Sequence, residues 1–376
     1  MKIIADDKIP FLKGVLESCA EVVYLPGAKV SPADAKETDA IITRTRTKCN
    51  ENLLAGSTVK FIATATIGYD HIDTEWVEAN GIEWTNAPGC NSSSVAQYIS
   101  SGLLNLACKY EISLRGKTLG VVGVGNVGSK VAKVGEALGM RVLVNDPPRA
   151  EKEGQGAFVD LAQILVESDF ITMHVPLDKG GKYPTYHLGN KELFKSMKSS
   201  AFYINSSRGP VCDNLALKEA LKSGDIAGAI LDVWENEPDL DLELLDLVEF
   251  GTPHVAGYSA DGKANGTAMS VNALSKFFDL DFKDWYPSDV PIPENNSLII
   301  SQDGSFEEKM FEAVSLSYNI KDDSDRLRNS PTTFEKQRGD YPLRREFPVF
   351  TVESSDEEVS EALMQLNFNV AQASRL

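Results

Sequence analysis

Apolar residues in the first quarter of the chain come in short bursts. Residues 2–5, 22–24, 40–43 and 61–64 are apolar runs too short for helices. Runs of this length suit strands buried on both faces. Polar and turn residues follow each run, which predicts the βαβ rhythm of a parallel sheet covered by helices. A helical stretch follows over about 93–109. Residues 118–123, 141–145, 170–174, 201–205 and 227–231 then predict the strands of a second parallel sheet. Ala268, Val271, Leu274 and Phe278 recur at helical spacing. They predict a helix over about 260–280 that returns the chain to the first domain.

Residues 285–293 carry Pro287, Pro291 and Pro293, so this stretch reads as a linker. Beyond it, 298–300 and 349–352 predict strands. Residues 306–318 and 356–366 predict amphipathic helices, the second with Val359, Leu363 and Leu366 on one face. The expected fold class is α/β, with two doubly wound parallel-sheet domains and a C-terminal α+β domain. The expected domains are 1–95 with 257–280, then 96–256, then 285–376.

Composition narrows the function classes. The chain has 376 residues, of which 42% are hydrophobic and 24% charged, as in ordinary soluble globular proteins. Lys and Arg number 37 against 55 Asp and Glu, a net charge of −18. That balance argues against a nucleic-acid partner, which needs a basic footprint. A small anion needs only a few local cations, so it stays possible. Two acids, Asp6 and Asp7, interrupt the amino terminus, so no signal-peptide core is expected there. No run approaches the ~18 apolar residues of a spanning helix. No membrane partner and a cytoplasmic location are therefore expected. Cys19, Cys49, Cys90, Cys108 and Cys212 are scattered and lack metal-ligand spacing, so they read as free thiols and no metal site is expected.

The chemistry starts at Gly123-Val124-Gly125-Asn126-Val127-Gly128. This GxGxxG run follows an apolar strand and opens a helical segment. A second strand ends at Asp146, 18 residues after the last glycine. That context is the dinucleotide-binding arrangement. Gly123 permits the tight turn, Gly125 the approach of a pyrophosphate, and Gly128 close helix–strand packing. Asp146 suits ribose hydroxyls and repels a 2′-phosphate, which favours NAD over NADP. Arg149 nearby is the one residue that points the other way.

Three further segments follow strand ends. They are Asn205-Ser206-Ser207-Arg208-Gly209-Pro210, Asp232-Val233-Trp234-Glu235-Asn236-Glu237-Pro238, and Thr252-Pro253-His254-Val255-Ala256-Gly257. In this order and spacing, with the glycine run, they resemble the D-isomer-specific 2-hydroxyacid dehydrogenase family. The resemblance covers about residues 1–280. It implies a flavodoxin-like substrate domain, a Rossmann NAD domain, and a catalytic set of Arg208, Glu237 and His254. Glu237, directly before Pro238, is preferred to Glu235. It also implies that Asn126, Val127, Asp146, Val175, Ser206, Ser207, Arg208, Asp232 and Gly257 line the NAD site.

The roles are chemically sound. Oxidising a secondary alcohol needs a base for the hydroxyl proton, here His254. Glu237 would hydrogen-bond the imidazole. Arg208 would pair with the substrate carboxylate and polarise the reacting carbon–oxygen bond. Asp232 would hold the nicotinamide amide.

The tail separates this chain from most of that family. Phe334 and Tyr341-Pro342-Leu343-Arg344-Arg345-Glu346-Phe347, with Gly257-Tyr258-Ser259 and Asp146-Pro147-Pro148, resemble a branch that carries a C-terminal dimerisation domain. That branch implies a homodimer through 285–376 and a phosphorylated 2-hydroxy acid as substrate. Such a substrate needs a second cationic site. Thr43-Arg44-Thr45-Arg46-Thr47-Lys48 follows an apolar run, and period two would put Arg44, Arg46 and Lys48 on one face. The alternative is an edge strand with solvated charges. Thr45, Thr66 and Tyr258 align with substrate contacts of the branch, which usually has Ser at Thr45. Arg344 and Arg345 are candidates for the phosphate or for an interface ion pair. Two other functions fit the same scaffold: a dehydrogenase of another acid such as 3-phosphoglycerate, and an NAD-sensing regulatory protein.

The charge is unevenly spread. Between Ser223 and Gly262 there are ten acids and no Lys or Arg. More than half of the net charge therefore lies on the segment carrying Glu237 and His254.

Overall fold

The computed structural model describes residues 1–372. These form two compact units. The first joins Met1–Asn91 to Ser259–Pro291, and the second joins Ser92–Tyr258 to the chain from Ile292 onward.

The first unit is built on five parallel strands. They are β1 (Lys2–Asp6), β2 (Glu21–Leu25), β3 (Ala40–Thr43), β4 (Phe61–Thr64) and β5 (Glu83–Thr85), in the order β2-β1-β3-β4-β5. That is the flavodoxin-like order. Successive side chains point to opposite faces of a strand. Ile3, Ala5, Ile42 and Ala63 accordingly pack on Val271 and Leu274 of the helix Ala260–Phe278. Ile4, Ile41 and Ile62 pack with Leu53, Leu54 and Val77 on the other face. Both faces are covered, which explains the unbroken apolar runs.

The second unit holds six parallel strands. They are β6 (Thr118–Val122), β7 (Arg141–Asn145), β8 (Phe170–Met173), β9 (Phe202–Asn205), β10 (Gly228–Leu231) and β11 (Phe250–Gly251). Their order is β11-β10-β9-β8-β6-β7, and a parallel bridge from Val144 to Phe158 extends the sheet past β7. The chain direction across the sheet reverses between β6 and β8. In open α/β sheets ligands bind at such a reversal, outside the carboxyl ends of the strands. The glycine run, Asp146, Val175 and the segments bearing Ser206–Arg208, Asp232–Glu237 and His254 all sit after those ends.

The tail adds three parallel strands, β12 (Ser297–Ile299), β13 (Thr351–Ser354) and β14 (Asn369–Gln372), in chain order. The helix Glu357–Gln365 carries the chain from β13 to β14. Residues 373–376, the end of the expected C-terminal domain, lie outside the described residues. Met310, Val314, Phe350, Val359 and Leu363 share one core with Tyr98, Ile99, Leu103, Val131 and Val134. The shared element is the helix Ser92–Tyr110, buried along most of its circumference. A helix apolar all round needs cover on every side, and the tail supplies part of it. Among the described residues, no helix is long and apolar enough to cross a membrane.

Arg344 fastens this core. Its Nε donates to Gln97 Oε1 at 2.7 Å and its Nη2 to the Ser94 carbonyl at 2.6 Å. The guanidinium lies 3.7 Å from the centre of the Tyr318 ring. The Arg345 carbonyl accepts from Gln97 Nε2 at 2.9 Å, and both arginines are buried. Arg344 is therefore committed within its own chain, and neither a phosphate nor an interface partner is needed to satisfy it.

Replacing Arg344 with Ala should cost on the order of 2–3 kcal/mol, because buried acceptors lose a charged donor. Lys should recover little, since it lacks the planar fork. Urea unfolding checks this. A midpoint equal to the wild type would contradict it.

Candidate active site

The glycine run makes a tight cradle. Gly123 has φ +85°, and a Cβ there would sit 2.5 Å from the His174 carbonyl oxygen. At Gly128 a Cβ would lie 1.9 Å from the Gly123 oxygen. Gly125 faces open space, where a ligand can approach the backbone. The helix Gly128–Ala137 starts here, so its amino end can receive an anion.

Asp146 stands beside this cradle. Its Oδ2 accepts from Val124 N at 2.8 Å, and its Oδ1 caps the helix Pro147–Glu153 through Arg149 N at 3.1 Å. The Arg149 guanidinium is held by Glu153 through two bonds of 2.8 Å. A paired arginine is a poor receptor for a 2′-phosphate, so the residue that pointed towards NADP is occupied.

The Arg208 loop is set by Asn205, fully buried at the end of β9. Its Oδ1 accepts from Ser207 N and Ser207 Oγ, and its Nδ2 donates to the Arg208 carbonyl. A Cβ on Gly209 would lie 1.9 Å from the Trp234 oxygen, so the loop packs directly on the next one. Arg208 itself is exposed, with Nη1 donating to the Ser207 carbonyl at 2.8 Å. Ser206 Oγ is buried without a partner. That orphaned hydroxyl and the open Gly125 fit a bound dinucleotide. Beside the Gly123 turn, His174 Nε2 shares a 2.9 Å bond with Thr172 Oγ1. The His174 ring keeps some surface, but the protein packed around it pushes its pKa down to about 3 by desolvation.

His254 and Glu237 meet directly. His254 Nδ1 lies 2.8 Å from Glu237 Oε2, while Glu237 Oε1 accepts from Trp234 N at 2.8 Å. Glu235 turns elsewhere: its Oε1 lies 2.7 Å from His187 Nε2 and its Oε2 accepts from Asn214 N. The two neighbouring carboxylates thus serve different histidines. His254 has φ 56°, a left-handed conformation uncommon outside glycine.

Asp232 holds that conformation. It is 1% exposed. Its Oδ1 accepts from Thr252 Oγ1 at 2.6 Å and Val255 N at 2.8 Å, and its Oδ2 from Ala256 N at 2.9 Å. Its own carbonyl accepts from His254 N at 2.7 Å. Burial pushes the Asp232 carboxyl pKa up, and nearby His254 and these donors oppose the rise. Sequence reasoning put Asp232 at the nicotinamide and missed this clamp, whose donors are mostly backbone groups. Gly257 follows the clamped segment, and Tyr258 N donates back to the Val255 carbonyl at 2.9 Å.

Four of the ten acids crowded on this segment pair with groups other than His254. Asp241 and Glu243 pair with Lys218, Glu249 with Lys109, and Glu235 with His187. Lysines outside the segment pair with three of its acids.

The remaining sequence candidates lie in the first unit. β3 ends at Thr43, so Arg44, Arg46 and Lys48 do not continue a strand and share no strand face. Thr64 Oγ1 donates to the Arg44 carbonyl at 2.9 Å, and buried Thr47 Oγ1 donates to the Gly27 carbonyl at 3.1 Å. These bonds bend 44–48 into a loop that leaves Thr45 and Arg46 exposed. Thr66 Oγ1 lies 2.8 Å from Thr64 Oγ1. Thr45, Arg46 and Lys48 line an open depression of about 760 Å³. Lys263, on the helix Ala260–Phe278, was not singled out from sequence. Burial lowers its pKa, and the like charge of Arg44 lowers it further.

Residues 95–256 match the family described as D-isomer specific 2-hydroxyacid dehydrogenase, NAD binding domain. Residues 290–367 match a domain of unknown function, DUF3410. A curated Bacteroides fragilis protein named erythronate-4-phosphate dehydrogenase is 52% identical over 353 residues, covering 94% of this chain and 99% of its own. A Shigella flexneri protein of the same name is 39% identical and covers 98% of both chains. Among solved structures, the D-lactate dehydrogenase of Aquifex aeolicus, complexed with NAD and lactic acid, superposes with a TM-score of 0.59 at 28% identity. It covers 74% of this chain and 96% of its own.

The depressed pKa of His174 makes an acid-stability prediction. A free imidazole titrates near ~6.5. Below that pH the unfolded chain takes a proton that the folded ring refuses until about pH 3. Stability is therefore lost as pH falls through this window. His174→Gln should lose less stability than wild type between about pH 6.5 and 4. Urea melts across that range check it, and identical slopes would contradict it.

Proposed function

Because the chain belongs to the D-isomer-specific 2-hydroxyacid dehydrogenase family, we propose that it oxidises 4-phospho-D-erythronate to 2-oxo-3-hydroxy-4-phosphobutanoate, a step towards pyridoxal 5′-phosphate. The observation that carries this is the full-length likeness to curated relatives, tail included.

The cofactor is NAD. When bound, NAD would supply the acceptor for the hydride that leaves C2 of the substrate. The glycine cradle would hold the pyrophosphate and Asp146 the ribose hydroxyls, and Ser206 Oγ would gain a partner. The hydroxyl proton goes to His254 Nε2. Its Nδ1–H donates to Glu237, which fixes the tautomer and leaves Nε2 with a free lone pair. As the alkoxide becomes a carbonyl, charge on the ring grows, and the Glu237 carboxylate stabilises it. Arg208 swings from its own loop carbonyl to the substrate carboxylate, where its fork binds two oxygens. Thr45, Thr66 and Tyr258 are the further substrate contacts. Arg44, Arg46 and Lys263 supply cations for the phosphate, and Asp232 keeps the catalytic histidine in place.

The protein works as a homodimer through residues 285–376. Ile299 on the edge strand β12 is 73% exposed and Met364 is 54% exposed, which suits an apolar interface. Ile299→Lys should shift the assembly from dimer to monomer in light scattering. A variant that stays dimeric would move the interface away from this strand.

The function is tested by NADH formation. 4-Phosphoerythronate should exceed 3-phosphoglycerate by about tenfold or more in kcat/KM. His254→Ala should lower kcat by roughly 10²–10⁴-fold. Faster turnover of 3-phosphoglycerate would assign another acid. Activity unchanged by His254→Ala would remove the histidine from the reaction.

A further inference from the structure

The tail also reaches the neighbourhood of the catalytic pair. Arg338 belongs to the short helix Phe334–Gly339. Its guanidinium lies 5.7 Å from the centre of the Tyr258 ring and 5.9 Å from that of Phe334. Tyr258 comes four residues after His254. On another side, Tyr341 meets the Tyr258 ring edge-on at 5.7 Å.

The frame behind these contacts is firm. Tyr341 Oη donates at 2.6 Å to Asp323, which is 2% exposed and also accepts from Tyr318 Oη at 3.0 Å. Phe334 is fully buried. Arg338 is thus held beside Tyr258 by anchored neighbours.

Its hydrogen bonding is incomplete. Nη1 donates to Glu335 Oε1 at 2.9 Å, but Nε is buried and has no partner. Burial works against the charge of Arg338, and Tyr258, Glu335 and Glu237 outweigh it, so the group is a fixed cation. A buried guanidinium N–H without an acceptor costs stability, and the Arg338 side chain keeps 24% of its surface, which leaves the open part of its fork to an outside acceptor. A phosphate oxygen is the acceptor that a guanidinium fork fits best.

The comparisons point the same way. The lactate dehydrogenase fold accounts for 96% of its own chain but 74% of this one. The relatives named for a phosphorylated acid align over nearly the whole of this chain. Lactate has no phosphate.

We propose that Arg338 is a specificity-determining residue that binds the substrate's phosphate, so that the tail supplies part of the substrate site. This rests on the proposed reaction. Arg344 and Arg345, the tail arginines that sequence suggested for this role, are buried in the shared core.

The test compares the full-length wild type with Arg338→Gln on two substrates, 4-phosphoerythronate and erythronate, with NAD. The variant should raise KM for the phosphorylated acid on the order of tenfold to a hundredfold. Its kcat/KM for erythronate should change by less than about threefold. The wild-type preference for the phosphate would then collapse. An equal fall on both substrates would mean that Arg338 only props Tyr258 and Glu237, and no change on either would remove it from the site. Arg338→Lys, which keeps the charge but not the fork, should fall between and stands in if the Gln variant fails to fold.

Calorimetric titration with inorganic phosphate separates this inference from the reaction assigned above. If the wild type does not oxidise 4-phosphoerythronate, the reaction is wrong. Phosphate binding weakened about tenfold in Arg338→Gln would still support the cation's role. Equal phosphate binding by the two proteins would overturn it.

Discussion

The Asp232 carboxylate gathers Thr252 Oγ1, Val255 N and Ala256 N, and the residue's own carbonyl takes His254 N. Four bonds from one buried residue therefore fix the segment on both sides of His254. A left-handed histidine backbone is unfavourable alone. These bonds over-determine it. With the backbone fixed, Nδ1 lies 2.8 Å from Glu237 Oε2, and in the proposed reaction Nε2 takes the substrate proton. The network runs on to Tyr98, whose hydroxyl lies 2.9 Å from Thr252 Oγ1. Tyr98 sits on the helix that the tail covers.

That continuity joins a tail far along the chain to the His254 segment. The helix Ser92–Tyr110 is a shared wall, with the nucleotide sheet on one side and the tail on another. Arg344 bonds the Gln97 side chain and the Ser94 carbonyl on this helix, and its Nη1 lies 3.3 Å from the Val255 carbonyl in the His254 segment. Arg338 and Tyr341 then frame Tyr258. The tail packs against the His254 segment of its own chain as well as carrying the exposed residues proposed for an interface.

Much of this fold was legible because burial on both faces leaves an unmistakable signature. β1, β3, β4, β8, β9 and β10 all appear as apolar runs. β5 did not, because Glu83-Trp84-Thr85 is an edge strand with a polar start, and two-residue β11 is too short to leave a pattern. The alternation at 44–48 failed because side-chain bonds from Thr64 and Thr47 end the strand early. The family resemblance picked Glu237, the Glu directly before Pro238, over Glu235; the structure sets Glu237 against His254 and Glu235 against His187. The Asp232 clamp, Lys263 and Arg338 were not readable. Their partners lie far off in sequence or are backbone groups, which carry no residue-type signal.

The central claim is that Asp232 acts through His254. A double-mutant cycle on kcat tests it with Asp232→Asn, His254→Ala and the pair. Asn cannot accept on both sides, so Asp232→Asn should lower kcat on the order of tenfold or more in the wild type. In the His254→Ala background the same change should cost almost nothing, because the residue it positions is gone. A full, additive loss in that background would contradict the account and place Asp232 at work elsewhere in the reaction.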